Sequence, residues 1–468
     1  MVFRSAIAAA LASVLLAGTA HAAATTLQEA LAAAYTTNPT LQAARAQLRA
    51  TDENVPAALA GWHPQVSLSG SIGPANGTTS TTSQDIFGRS VTAKTNVNRH
   101  ETLASASVTQ PIYNGGKTRA STNRAENQVL STRAQLLATE QQVFLDTVNA
   151  YVSVIQDEQI LQLDISNEQV LAKQLQSTND RFRVGELTRT DVAQAEAALA
   201  SASSTRQAAE GTLQAARAKY EALVGEKPGK LKEPQPLQTP TKTLDEAAIL
   251  AGRNNPNVVA ALFADSAARD AFDVAYAAIL PSLSLQGSVF RNQEAIQPRQ
   301  VQNGASLLAN LSIPIFQGGA EYATIRQARQ QEQQARKQLE EQRRTAIQDT
   351  TAAWQQLVSA RASIDSDRAA IRANQIALEG VEREALVGSR TTLDVLNAQQ
   401  ALLNSQTTLV QALAQLVIAS YSVASAVGRL TARDLNLQVQ LYDEKAYYNA
   451  VKNLWIGTGD YATDQPGR

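Results

Sequence analysis

Gly116-Lys117-Thr118 has the residue types that close a phosphate-binding loop, where a lysine and backbone N–H groups cradle phosphate. That chemistry also needs a glycine five residues before Gly116. Position 111 is proline, and the corresponding stretch later in the chain reads Gly319-Ala320-Glu321. Nucleotide binding is set aside, and the double glycines are read as tight strand-to-helix turns. Only three histidines occur, His21, His63 and His100, and there is no cysteine. Disulfides, thiolate nucleophiles and Cys-ligated metals are excluded, and His63 beside Pro64 is read as a boundary residue. No catalytic residue, metal site or cofactor is expected, and nothing in the chain supports an enzyme. Two carboxylates stand out by position. Asp191 and Asp394 each lie six residues after a glycine, Gly185 and Gly388. Two readings stay open for them: a functional acidic pair, or charges that favour the first turn of a helix.

The composition narrows the setting. Lys and Arg number 41 against 42 Asp and Glu in 468 residues, so the basic excess of a nucleic-acid binder is missing. Aromatics are 5% and Met is 1; Ala, Gln, Leu, Thr and Ser dominate. That mixture suits long, narrow helical packing better than a thick globular core. Arg4, the apolar run Ile7 to Ala17 and Ala20-His21-Ala22 form a cleavable export leader over 1–22. No cysteine follows the cleavage site, so a lipoprotein anchor is not expected. No later stretch is read as reaching the roughly 18 apolar residues of a membrane helix. A membrane span, if there is one, must use strands.

The chain reads as an internal duplication. Thr26-Leu27, Asn38-Pro39, Pro64 and Ser67-Leu68 recur as Thr243-Leu244, Asn255-Pro256, Pro281 and Ser284-Leu285 at a constant offset of 217. Pro111-Ile112, Gly115-Gly116, Val184-Gly185 and Val224-Gly225 recur at an offset of 203. The 14-residue difference lies between Ser71 and Pro111. The expected organisation is a first repeat over 23–227, a Pro-rich linker over 228–242, a second repeat over 243–428 and a tail over 429–468.

Each repeat has the same grammar. A helical segment (27–61; 244–278) is broken early by Pro39 or Pro256 and ends near Pro64 or Pro281. Alternation at Val66, Leu68, Ile72 and at Leu283, Leu285, Val289 predicts a strand with one apolar face. A polar loop follows, 74–100 in the first repeat and a shorter one near 291–303 in the second. A further strand ends at Pro111 or Pro314, clearest at Leu307, Ala309, Leu311 and Ile313. Proline-free helices then run over 117–182 and 320–386, about 100 Å each. After Val-Gly turns the chain returns as helices over 188–224 and 391–427. Leu402, Leu409, Leu416 and Val423, with Leu413 and Val427, form a heptad seam for coiled-coil packing, faced by Leu145, Val148, Val152 and Ile155. The two shorter helical segments together match one long helix, so end-to-end stacking along it is expected, with the linker and tail at mid-height. Four strands of about 9–11 residues have bilayer-spanning length but cannot close a barrel, and an open edge is forbidden in lipid. Either they form a soluble sheet or several chains pool them.

These features resemble the TolC-like outer membrane channels of Gram-negative efflux and type I secretion. The resemblance covers essentially the whole mature chain. It rests on the duplicated strand–loop–strand between Pro and Gly-Gly, the tips 181–188 and 387–397, and the tail from Leu430-Thr431-Ala432-Arg433-Asp434-Leu435. It implies a mainly α fold with a small membrane β-barrel: a homotrimer with a 12-stranded barrel in outer membrane lipid and an antiparallel coiled-coil tunnel through the periplasm. It also implies partners, a periplasmic adaptor and an inner-membrane ABC or RND-type transporter, and no nucleic acid. Asp191 and Arg390 stand where the family holds its coiled coils closed by a charged contact, and Asp394 where an acidic ring narrows the entrance. One turn on, this chain has Asn397 where well-known members carry a second Asp. Val184, Gly185, Leu187, Val387, Gly388 and Ser389 match the adaptor-docking tips. The competing reading is a non-conducting periplasmic scaffold or adaptor.

Overall fold

The structure, a computed structural model, describes residues 24–296, 299–459 and 461. The expected leader at 1–22 and the last residues of the tail lie outside them. The chain order is α1 (Leu27–Thr37), α2 (Pro39–Asp52), α3 (Asn54–Leu59), β1 (Gln65–Gln84), β2 (Ser90–Asn114), α4 (Lys117–Arg183) and α5 (Arg189–Val224). Then follow α6 (Leu244–Asn254), α7 (Pro256–Tyr276), β3 (Ser282–Gln293), β4 (Val301–Ser312), α8 (Ala320–Leu386), α9 (Thr392–Ala426) and α10 (Ala446–Val451). Contacts divide the chain into two compact units. One gathers the chain up to Asn38, Asp146–Pro236 and Ala360–Ile418; the other gathers Pro39–Leu145, Leu237–Ser359 and the chain from Ala419.

In the first unit, the Asn-Pro motif explains how one helix follows another. Pro39 cannot continue α1, and the break frees Asn38 and Thr37. Thr37 Oγ1 donates to the Val224 carbonyl at 2.8 Å and Asn38 Nδ2 to the Leu223 carbonyl at 3.1 Å. The last carbonyls of α5, orphaned at any helix end, are thereby satisfied by the neighbouring segment. Gly225 closes α5 in the left-handed conformation at φ 86°. Tyr151, near the middle of α4, donates to the carbonyls of Thr25 and Lys232, which holds the start of the linker. Arg206 joins α5 to Glu168 of α4 at 2.7 Å, and Arg217 pairs with Glu158 at 2.7 Å.

The second unit repeats the device. Asn255 caps α7 through the Asn257 N–H and donates its Nδ2 to the Ala426 carbonyl at 3.0 Å. Gly428 sits at φ 85°, and a Cβ there would come within 2.6 Å of the Asn254 carbonyl oxygen. The α9 seam departs from the heptad reading. Val423 and Val427 are buried, but Leu402, Leu409 and Leu416 are half-buried and Leu413 is exposed. Ala414, Val417, Ala419 and Ala424 are buried. α9 also has an 18-residue window of mean hydropathy 1.5, so by length and composition it does reach the membrane-helix threshold.

The four strands form one antiparallel sheet in the order β1-β2-β3-β4. Register fixes the faces. Leu68 pairs with Ala106, which pairs with Val289, which pairs with Ala305. By alternation Leu68, Ile72, Leu285, Val289, Leu307 and Leu311 share one apolar face. The other face is mainly polar, with Leu103, Phe290 and Leu308 as apolar exceptions: Ser67–Ser107, Ser69–Ser105 and Ser288–Ser306 are hydrogen-bonded at 2.7–2.8 Å. The polar loop expected at 74–100 is instead a β-ribbon. β1 and β2 stay paired from Gln65↔Thr109 to Gln84↔Ser90, whereas β2 pairs with β3 only from Thr102 onward. About 12 residues, some 40 Å, therefore run past the four-stranded part. Threonines favour the extended backbone, and Thr82–Thr92 and Thr78–Asn96 hydrogen bonds replace apolar pairing. Polarity on both faces removes the alternation that marks a strand.

The tail docks on buried charge. Ala432 donates its N–H to Glu140 of α4 at 2.7 Å. Arg45 lies over the Tyr442 ring, Arg133 over Tyr448, and Tyr447 donates to Glu53 at 2.7 Å. Asp52 is fully buried, and neither carboxylate oxygen has a hydrogen-bond partner among the described residues. Burial pushes its pKa up to about 7; Arg133 opposes this, and Glu53 and Glu444 reinforce it. Glu140 is likewise raised to about 7 by burial, against the Ala432 N–H and Arg45. A carboxyl raised in the folded state binds its proton more tightly there. Its stability contribution is complete below the unfolded value near 4 and is lost as pH rises to about 7. The Asp52 penalty above that pH is on the order of 4 kcal/mol. Asp52→Asn should therefore raise the resistance of the 429–459 tail to protease at pH 8 and shrink the difference between pH 5 and pH 8. An unchanged difference would assign it to Glu140 alone.

Candidate functional site

The site expected at the two helix turns lies within the first unit. α4 ends in a double hydrogen bond: Gly185 N–H to the Phe182 carbonyl at 3.0 Å and Glu186 N–H to the Arg181 carbonyl at 2.9 Å. α8 ends the same way, with Gly388 N–H to Ala385 at 3.3 Å and Ser389 N–H to Glu384 at 3.0 Å. This is the Schellman turn, and its reversal needs a left-handed residue. Gly185 is at φ 85° and Gly388 at φ 80°. Nothing lies within 4 Å of a Cβ built at either. Glycine is thus favoured by backbone conformation, and no close neighbour crowds it within the chain.

The return helices begin in matching caps. The Thr188 hydroxyl accepts from the Asp191 N–H at 3.3 Å, and the Asp191 carboxylate accepts from the Thr188 N–H at 2.9 Å. Thr391 and Asp394 make the same exchange at 3.3 and 2.9 Å. These reciprocal bonds form capping boxes. Hydrogen bonds from Thr188 hold the Asp191 pKa below the usual carboxylate range, and the Thr392 hydroxyl adds to this. Those from Thr391 do the same for Asp394, with a smaller pull from Arg390. Both carboxylates are ionised near neutral pH. The caps persist until pH falls below the ordinary carboxylate range, because a depressed group loses its contribution only there. The helix-start reading of both residues is therefore realised structurally, and it fixes where two negative charges sit.

The charged contact expected between Asp191 and Arg390 does not form within the chain. Arg390 Nε bonds Glu384 Oε2 at 2.8 Å across its own turn, and this contact raises the Arg390 pKa. A short loop brings Glu384 nearer than a residue on another helix. The first turn has a counterpart of reversed sense, Arg181 to Glu186 at 3.0 Å. Neither clamp was anticipated from sequence. Opposite charges five or six residues apart around a turn glycine were the available signal. Asn397, one turn after Asp394, is exposed. The turns present apolar side chains: Val184 is 72% exposed and Val387 80%, while Leu187 is half-buried. No group of three or more His, Cys, Asp or Glu residues suited to a metal occurs among the described residues.

Known proteins share this architecture. The profile of the outer membrane efflux protein family matches residues 26–226 and 249–429. The outer membrane efflux protein BepC of Brucella suis biovar 1 (strain 1330) is 36% identical over 452 residues, 95% of each chain. The outer membrane protein TolC of Escherichia coli (strain K12) is 25% identical over 362 residues, 72% of each chain. The crystal structure of the outer membrane protein VceC from Vibrio cholerae superposes with a TM-score of 0.71 at 20% identity, covering 86% of this chain and 96% of that one. The chain belongs to the outer membrane efflux protein family: it is an outer membrane channel protein with a large periplasmic portion, and not an enzyme.

Proposed function

We propose that three copies of this chain form one export duct, with a 12-stranded barrel in the outer membrane and a helical tunnel whose gate is the pair of turns. One observation carries this reading. The four-stranded sheet leaves β1 and β4 as its free edges, and they run antiparallel to each other. β4 of one copy can therefore pair with β1 of the next, and the ring closes with no edge exposed to lipid. The apolar face then meets lipid and the serine-rich face lines the lumen. The repeats 23–227 and 243–428 each supply one strand pair and one helical hairpin, joined by 228–242 and followed by 429–468. A periplasmic adaptor docks at Val184, Gly185, Leu187, Val387, Gly388 and Ser389, and an inner-membrane ABC or RND-type transporter supplies the energy. The cargo is a small molecule or a polypeptide.

Asp191, Arg390 and Asp394 form the gate in this reading. Three Asp394 carboxylates around one axis repel each other and attract cations. The Arg390–Glu384 clamp holds each turn in place. Purified trimer in a planar bilayer should conduct poorly. Asp191→Ala, Arg390→Ala and Glu384→Ala should each raise conductance, and Asp394→Ala should weaken block by multivalent cations. Asn397 limits how strong that block is at the start. Conductance and block unchanged in all four variants would move the constriction elsewhere, and no conductance in any of them would favour the scaffold.

A further inference from the structure

Trp455 and Ile456 are 64% and 89% exposed, yet the segment bearing them is built into the fold. α10 ends at fully buried Val451, and Leu454 donates its N–H to the Val451 carbonyl at 2.9 Å. Lys452 caps the turn over the Tyr448 ring and reaches Glu126 at 3.8 Å. The Trp455 ring stacks on His63 with centroids 3.9 Å apart and planes at 24°. His63 lies two residues before β1, and the Trp62 carbonyl accepts from Gln110 of β2 at 2.9 Å. Trp455 is therefore pinned at the helix-side end of the sheet. Trp62, next to His63 in sequence, is 40% exposed, and the apolar face of β1 begins with Val66 and Leu68 at 73% and 84%.

We propose that Trp455 and Ile456 are a second membrane contact, seated in the headgroup region of the periplasmic leaflet of the outer membrane. This rests on the membrane-spanning reading of the strands. Three observations select phospholipid as the occupant. The patch stacks on His63, immediately before β1, whose apolar row begins at Val66 and Leu68. It lies where the strands leave the bilayer. It pairs an indole, apolar but with one N–H donor, with an isoleucine, the amphipathic combination that suits a membrane–water boundary. The His63 stack orients the indole and ties the tail to the barrel, so tail docking and membrane seating are one event.

The test uses the full trimer with Trp62→Phe and Trp354→Phe, leaving Trp455 as the only indole. In vesicles whose acyl chains carry bromine near the headgroup, Trp455 emission should fall about twofold relative to unbrominated lipid, because an interfacial indole lies within contact of that region. Ile456→Cys labelled with bimane, in this cysteine-free chain, should show the same quenching and covers failure of the double variant to fold. Leu285→Trp, in a background with all three native tryptophans replaced by Phe, is the control for the strands and should be quenched by bromine deep in the chains. Quenching at Leu285→Trp without quenching at Trp455 or at the Ile456 label overturns the proposal alone. Absence of quenching at all three overturns the membrane-spanning reading together with it. Trimer dissociation in Trp455→Ser, with Trp455 unquenched in the double variant, would make the patch a contact between copies and also overturns it.

Discussion

Leu307→Lys should remove the protein from the outer membrane fraction and abolish the SDS-resistant trimer. Leu307 is the seventh of the 12 residues of β4, 71% exposed, on the face it shares with Leu68, Ile72, Leu285 and Val289. A lysine facing lipid at mid-depth costs about 2–4 kcal/mol, and the cost falls to about 0–1 near the interfaces. A threefold assembly carries the substitution three times. Leu285→Lys, four residues into β3, should act nearly as strongly. Leu311→Lys lies one residue from the end of β4, so its lysine can reach the headgroups and its effect should be smaller. Ser306→Lys, on the opposite face beside Ser288, should leave assembly intact because it faces water in the lumen. Fractionation and unheated gels read all four variants. Unchanged assembly in both Leu307→Lys and Leu285→Lys would mean that the apolar face does not meet lipid.

Much of this frame is legible from residue order, and the gaps have physical causes. The long helices were expected over 117–182 and 320–386 and run over Lys117–Arg183 and Ala320–Leu386. Double glycine, absence of proline and a terminal Val-Gly suffice to bound them, because each is a local backbone constraint. The β-ribbon beyond Ile72 was hidden because its pattern is polar on both faces and only pairing reveals it. The Arg390–Glu384 clamp was missed because charge partners depend on how a turn folds back. The buried Asp52 and Glu140 were invisible because their burial comes from a tail nearly 400 and 300 residues away in sequence. Asn-Pro was read as a helix break alone, yet Asn38 and Asn255 also take the end carbonyls of α5 and α9. A break motif that recurs with the same side chain is evidence for a partner as well as for an interruption.

Gly388→Arg should abolish export while trimer level and outer membrane location stay normal. The turn asks for two separable things at this position. Backbone conformation comes first: at φ 80° a non-glycine residue bears a cost of about 1–2 kcal/mol. Asparagine tolerates that region better than most, so Gly388→Asn isolates the conformational cost with little added bulk. Surface comes second. A Cβ at Gly388 meets no atom within 4 Å, so a large side chain projects outward and does not disturb the chain's own packing. It projects beside Val387, 80% exposed, and Leu386, 77% exposed. An adaptor helix or loop that covers these apolar residues must pass over the glycine, and an arginine there blocks the approach with bulk and an unpaired charge. Gly388→Asn should keep most export and Gly388→Arg almost none. Gly185→Arg, at the equivalent turn, should behave like Gly388→Arg, since φ 85° and an open Cβ direction recur there. Normal export in both arginine variants would place the docking surface away from the turns. Collapse of the trimer in both arginine variants but not in Gly388→Asn would show that the turns pack against neighbouring copies, and docking would then have to be sought on the flanks of the helical hairpins.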